Sequence, residues 1–484
     1  MSARRRQCLA LGAVLSLAAC SSGGNKINPL VPPAAVGQTA PAANLRIAGI
    51  GDSLTAGFQS GGLMGADLPV LGTDPTLGQI GPVQRTQEHG FFALLWEQAN
   101  GVDITALSDP TKSPLPLIIP PGVGSLLAPT TSGFPYPLTT NCDSKQIAAN
   151  TFSTALSLRE NPTFLPYDVA VPGQTAHEAL YMTGPIGTCA PLPAQFVGLN
   201  AIVNGESQAF WPVLATFGQG VPQVSAAISL HPQVATVWLG SSELLKVAFS
   251  NGAFPPTSAA SLQADIASIV QQLQAAGAKV AVANLGDVMG SAVFIPQPAY
   301  VTFLEQFISK ANPALPAATV ASIAQAYAGA EIAATGLGSG GYFTISAVFK
   351  TLQAALASAA PPALTAGGDY VSDAVASQVK SLNAAYNASI AAAAGQNNAA
   401  LVDIATLFAS IESMGSLRVN PPKCCTLLYG GGFFSLDGIH PSNTGYAIVA
   451  KAFIDELNSA YTLGIPAIDA QIPAIYAADP YAPH

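Results

Sequence analysis

The apolar run Leu45–Ile50, interrupted only by Arg46, leads directly into Gly51-Asp52-Ser53-Leu54-Thr55-Ala56-Gly57. A short apolar run closed by turn residues reads as a buried strand. Open α/β sheets place their ligand chemistry just beyond the carboxyl ends of such strands. A serine at that point is a candidate nucleophile, and Gly51 and Gly57 let the backbone turn sharply beside it. By itself Gly-Asp-Ser also fits an ordinary turn with Asp52 as a local cap. The rest of the chain decides between the two.

Further strands and amphipathic helices follow in alternation. Tyr167–Val171 reads as a short strand ending at Pro172-Gly173, and Val234–Gly240 as the clearest buried strand. A helix with Leu262, Ile266, Ile269, Val270 and Leu273 on one face comes next, closed by Gly277. Lys279–Leu285 and Ala400–Ile404 are the remaining strands. Helices are predicted at Gln87–Glu97, Val371–Ala394 and Asn443–Asn458. Strands separated by helices imply a parallel sheet covered on both faces. Five strands predict a three-layer α/β/α, flavodoxin-like sandwich. Residues 59–85 and 105–160 are long, proline- and glycine-rich insertions, the second expected to cover the catalytic face. Residues 288–370 break the rhythm and are expected to form an inserted helical subdomain or lid. The core is therefore expected in two parts, 45–287 and 371–465, with a tail at 466–484.

The N-terminus reads as an address. Arg4, Arg5 and Arg6 precede the short apolar run Cys8–Ala19, and Leu17-Ala18-Ala19-Cys20 follows the pattern of a lipoprotein signal. Residues 1–19 are then a signal peptide and Cys20 the lipidated first residue. Residues 20–44, rich in Ser, Gly, Pro and Ala, form a tether too polar and too flexible to bury a core. The expected location is the bacterial cell envelope, with the membrane as a partner through the lipid. No apolar run beyond the signal is long enough to span a bilayer. Only 9% of the residues are charged, against about 25% in typical globular chains. A formal charge of −9, less three arginines with the signal, gives −12; that excludes nucleic acid as a natural partner.

An exported chain meets an oxidising compartment, so Cys142, Cys189, Cys424 and Cys425 are candidates for disulfides. A bond between adjacent cysteines is strained, which favours bridges from Cys424 and Cys425 to Cys142 or Cys189. A zinc site is the alternative, but no Cys-x₂-Cys pair is present. No metal or cofactor is expected.

A serine becomes a nucleophile at neutral pH when a base takes its proton and an acid orients the base. Of five histidines, His440 alone sits in a suitable frame, Asp437-Gly438-Ile439-His440-Pro441, just ahead of the last core helix. An Asp three residues before a His, with glycine between, lets both side chains point the same way from one tight turn. His89, His177, His231 and His484 have no such setting.

These residues resemble the SGNH hydrolases, the GDSL lipase/esterase family. Gly51-Asp52-Ser53-Leu54 matches its first block, with Ser53 as nucleophile. Val171-Pro172-Gly173 matches the second, whose glycine offers a backbone N–H to the oxyanion. Asp437-x-x-His440-Pro441 matches the last. The third block, Gly-x-Asn-Asp in the family, reads Gly240-Ser241-Ser242-Glu243 here, so Ser242 stands where the family has its side-chain oxyanion donor. The resemblance implies a Ser53-His440-Asp437 triad, an oxyanion hole of Ser53, Gly173 and a weakened Ser242, and no Gly-x-Ser-x-Gly elbow. It implies a serine esterase or lipase that cleaves carboxylic esters, acyl lipids or small esters, through an acyl-enzyme. Deacetylation of polysaccharide or peptidoglycan is the alternative within enzymes. A non-catalytic lipoprotein binding a ligand through residues 288–370 is the alternative outside them.

Overall fold

A computed structural model of the protein describes residues 43–59, 86–107, 113–117, 161, 164–181, 213–217, 221–414, 417–418 and 423–482. The signal, Cys20, almost all of the tether, Cys142, Cys189 and most of the two long insertions lie outside these residues. Four strands form a parallel sheet in the order β1, β2, β3, β7. They are β1 (Ile47–Gly51), β2 (Val234–Trp238), β3 (Lys279–Ala283) and β7 (Ala400–Val402). Ile47 pairs with Val234 and Gly51 with Trp238; Val234 pairs with Lys279 and Ala281 with Ala400. β1 and β2 are buried along their whole length, as strands covered on both faces must be.

Two groups of helices cover this sheet. Phe91–Asn100 packs on Asn443–Tyr461, with Phe91 stacked on Phe453 at 4.5 Å and edge-on to Trp238 at 5.5 Å. Ala259–Ala275 packs on Asp373–Gln396, with Ala176–Tyr181 and Gln223–Ser229 beside it. The stripe Leu262, Ile266, Ile269, Val270 and Leu273 is the buried face of its helix. The Ser258 hydroxyl caps the first turn by accepting the Ser261 N–H at 3.0 Å. The result is the expected α/β/α arrangement with one strand fewer.

The missing strand is the segment at Tyr167–Val171. It does run parallel to β1: the Gly49 N–H donates to Tyr167 O at 2.9 Å, and the Val169 N–H to Gly49 O at 3.0 Å. The next rung fails. The Gly51 N–H goes to Gln223 Oε1 at 2.8 Å, where a continued ladder would send it to Val169. A buried amide has taken the strand's acceptor position, and only the bridge at Gly49 and Asp168 remains.

Residues 288–370, expected to form an inserted helical subdomain or lid, hold helices Tyr300–Ala311, Ala317–Thr335 and Ile345–Leu356. With Val371 they also hold an antiparallel sheet of β4 (Phe294–Pro296), β5 (Tyr342–Thr344) and β6 (Tyr370–Val371). Strands this short carry too little periodicity to read in a sequence. The Tyr300 hydroxyl donates to Glu331 Oε2 at 2.8 Å and the Thr351 hydroxyl to Glu331 Oε1 at 2.6 Å. One buried carboxyl thus ties the three helices together. Among the described residues no helix is long and apolar enough to cross a membrane.

The structure places the sulfurs of Cys424 and Cys425 next to each other; the expected partners Cys142 and Cys189 lie outside the described residues. Cys425 has φ +73°, a left-handed turn that folds the second side chain back toward the first.

In the loop that carries Asp437 and His440, the residue at 438 is held tightly by its surroundings. Gly438 has φ +72°, and a Cβ there would lie 2.6 Å from the backbone nitrogen of Val293. That same Val293 N–H donates to Gly438 O at 2.9 Å. Gly438→Ala is expected to lower unfolding stability by about 1–3 kcal/mol, the usual cost of forcing a side chain into this region. Urea unfolding checks this, and an unchanged midpoint contradicts it.

Candidate active site

Ser53 sits two residues past the end of β1, in the turn that follows the strand. Asp52, beside it, is buried and fully engaged. Its Oδ1 accepts the Leu54 N–H at 3.0 Å; its Oδ2 accepts the hydroxyls of Ser241 at 2.6 Å and Ser242 at 2.9 Å. Burial pushes this carboxyl up, against those hydrogen bonds. Asp52 thus couples the serine turn to the first two residues of helix Ser241–Phe249.

His440 and Asp437 come from a tight loop ahead of helix Asn443–Tyr461. The Ser435 N–H donates to His440 O at 2.8 Å and the Gly438 N–H to Ser435 O at 3.0 Å. Asp437 Oδ1 accepts the backbone N–H groups of Ile439 and His440, both at 2.9 Å. Asp437 Oδ2 lies 2.7 Å from His440 Nδ1, and His440 Nε2 lies 2.7 Å from Ser53 Oγ. The Phe58 ring packs on the imidazole at 4.7 Å between centroids. Burial pushes the Asp437 carboxyl up. The adjacent His440 charge and the hydrogen bonds from His440 and Ile439 outweigh it, so the group is held below the usual carboxylate range. A carboxylate kept ionised against the imidazole stabilises the imidazolium that forms when the serine gives up its proton.

Gly173 lies in the turn Val171–Gln174, closed by the Gln174 N–H on Val171 O at 3.2 Å. Its φ of +79° with proline before it is the pattern of a type II turn. The Val171 N–H donates to Gly51 O at 3.1 Å, which sets this turn beside the end of β1. Among the described residues the N–H groups of Ser53 and Gly173 have no acceptor within the protein. The hydroxyl of Ser242, expected as a weakened oxyanion donor, donates to Asp52 Oδ2. A serine oxygen ends one bond beyond Cβ, and the strong acceptor in its reach is the buried carboxylate.

Glu243, the last residue of the third block, and an ion pair outside the motifs complete the surroundings. Glu243 Oε1 accepts the Ala176 N–H at 2.8 Å and holds the chain just after the Gly173 turn. Lys246 and Glu178 form a buried ion pair at 3.2 Å, and Glu178 also accepts the Thr175 N–H at 2.8 Å. A groove of about 540 Å³, its open mouth included, starts at Ser53 and is lined by Leu54, Trp238, Leu245, Leu285, Phe408 and Phe434 among others. Ser241, Asp287 and Ser291 supply its polar edge. His177 stays on the surface beside Asp265 at 3.3 Å, away from this chemistry. Among the described residues no group of three or more His, Cys, Asp or Glu side chains converges as a metal site would require.

The family model of the GDSL-like lipase/acylhydrolases matches residues 47–453. The chain belongs to this family, and it is a carboxylic ester hydrolase. No curated protein matches the chain.

Burial raises the Glu243 carboxyl from 4.5 to about 7, with the Ala176 N–H and Lys246 opposing. The folded protein therefore keeps a proton that the unfolded chain releases above 4.5. The stability tied to this proton is complete below that pH and is lost as pH rises through 7. Glu243→Gln keeps an acceptor for Ala176 without the charge. Its melting temperature is expected to match the wild type near pH 4 and to exceed it increasingly from pH 5 to 8. A pH-independent difference contradicts this account.

Proposed function

We propose that Ser53, His440 and Asp437 act as a catalytic triad that hydrolyses carboxylic esters with apolar acyl groups through an acyl-enzyme. The hydrogen-bonded chain Ser53 Oγ, His440 Nε2, His440 Nδ1, Asp437 Oδ2, with both links at 2.7 Å, carries this reading. As Ser53 Oγ attacks the ester carbonyl, His440 takes its proton and Asp437 stabilises the imidazolium. The N–H groups of Ser53 and Gly173 receive the charge on the carbonyl oxygen, where each donor is worth roughly 10²–10³ in rate. His440 then gives its proton to the leaving alkoxide. A water, deprotonated by the same imidazole, attacks the acyl-enzyme and releases the acid. The groove beside Ser53 is walled by leucine, tryptophan and phenylalanine side chains, which supports an acyl chain there rather than a sugar.

Aryl esters from acetate to decanoate test this. The wild type is expected to turn over several of them and to be labelled by a fluorophosphonate. Ser53→Ala is expected to lose both, and Asp437→Asn to lose less than Ser53→Ala or His440→Ala, since the acid orients and the other two react. More than a few per cent of wild-type activity in Ser53→Ala contradicts the assignment.

We also propose that the mature chain is held to a membrane of the bacterial envelope by lipid on Cys20. The basic, apolar and small-residue regions in residues 1–20 support it. Cys20→Ala is expected to move the protein from the membrane to the soluble fraction with esterase activity intact. Retention in the membrane fraction contradicts the anchor.

A further inference from the structure

Two backbone donors serve one oxyanion only when the distance between them is fixed to a fraction of an ångström. Ser53 is carried by the end of β1 and Gly173 by a separate turn. One side chain touches both supports. Gln223 opens the helix Gln223–Ser229 and is completely buried. Its Oε1 accepts the Gly51 N–H at 2.8 Å. Its Nε2 donates to Gly51 O and to Gln174 Oε1, both at 2.9 Å. Gly51 stands two residues before Ser53, and Gln174 directly follows Gly173.

We infer that Gln223 is a positioning residue that sets the spacing of the two oxyanion donors. This rests on reading Ser53 and Gly173 as those donors. A purely structural amide would only need to satisfy the buried backbone of Gly51, and a continued ladder to Val169 does that without a side chain. Gln223 replaces that rung. The segment after Val169 keeps one backbone bond to β1, from the Val171 N–H to Gly51 O, before it turns at Pro172-Gly173, and Gln223 adds a second tie through Gln174. Both amide atoms are used, so the clamp has no freedom to turn over. Exchanging its oxygen and nitrogen would set the amide oxygen against both Gly51 O and Gln174 Oε1.

Gln223→Met keeps the length and bulk of the side chain and removes the amide. With sites counted by fluorophosphonate titration, kcat per site on an aryl ester is expected to fall about 10- to 100-fold with KM within about twofold, the signature of a contact that matters in the transition state. Inhibition by an aryl boronic acid, whose tetrahedral adduct places an oxygen in the oxyanion hole, is expected to weaken by the same factor. A variant with fewer titratable sites but unchanged kcat per site overturns the inference, because that is what a merely structural role produces. Should Gln223→Met fail to fold, Gln174→Leu cuts the link from Gln223 to the Gly173 turn. It is expected to lower kcat at least about fivefold, and an unchanged kcat overturns the inference equally. A wild-type protein that neither cleaves esters nor takes the fluorophosphonate overturns the reading of the site itself. An active wild type with indifferent Gln223 and Gln174 variants overturns only the role of the clamp.

Discussion

The 2.7 Å contact between Ser53 and His440 joins residues near opposite ends of the chain, and the rest of the structure exists to hold it. Closing so long a loop costs entropy that a single hydrogen bond does not offset. The sheet and helices therefore carry the burden. β1 fixes Ser53 from one side. Helix Asn443–Tyr461 fixes the loop of His440 from the other, with the Ser442 hydroxyl capping its first turn. The stacked rings of Phe91 and Phe453 lock the helix after β1 against the helix after His440. Ser53 and His440 thus meet because two helices share one core.

Asp52 explains how the site stands with serines in place of the usual asparagine. A carboxylate buried without partners is costly. Here it has two hydroxyls and a backbone N–H, and the hydroxyls belong to the first two residues of helix Ser241–Phe249. Ser241 and Ser242 thus serve the carboxylate beside Ser53, which in the reading proposed above leaves the backbone N–H groups of Ser53 and Gly173 for the oxyanion. Glu243 acts in the same sense, for its carboxyl holds Ala176 behind the Gly173 turn.

What could be read from the sequence was local. The stripe from Leu262 to Leu273 names its own buried face, and Asp437 and His440 lie three residues apart in one loop, so spacing alone set them side by side. Ser53, Gly173 and the two last-block residues follow from short motifs for the same reason. What escaped depended on partners far along the chain. The segment Tyr167–Val171 has suitable residues, but at Gly51 the Gln223 amide oxygen stands in for the Val169 carbonyl as acceptor. The hydroxyl of Ser242 faces an acceptor, Asp52, that no spacing near Gly240 reveals. The approach of the Cys424 and Cys425 side chains goes with a left-handed backbone at Cys425, a conformation that a cysteine does not announce. Residues 294–296, 342–344 and 370–371 form a sheet from fragments too short to show alternation.

Residues 288–371 stand in a different relation to the site from that of a cover laid over it. The Val293 N–H donates to Gly438 O in the middle of the loop between Asp437 and His440, and the Val293 carbonyl accepts the Ile345 N–H in return. Tyr429 packs against Phe303 and Phe307 of the helix Tyr300–Ala311, at 6.1 and 5.8 Å between ring centres. Its hydroxyl donates to Leu436 O at 2.8 Å, one residue before Asp437. The insertion therefore touches the acid–base loop on both sides of its carboxylate. A segment that moved as a free lid would have to break these contacts and release Asp437 with each opening. Bonded to the loop as it is, the insertion behaves as its buttress: the aromatic contacts at Tyr429 and the backbone bond at Val293 fix where the carboxylate points, and through it the imidazole that meets Ser53.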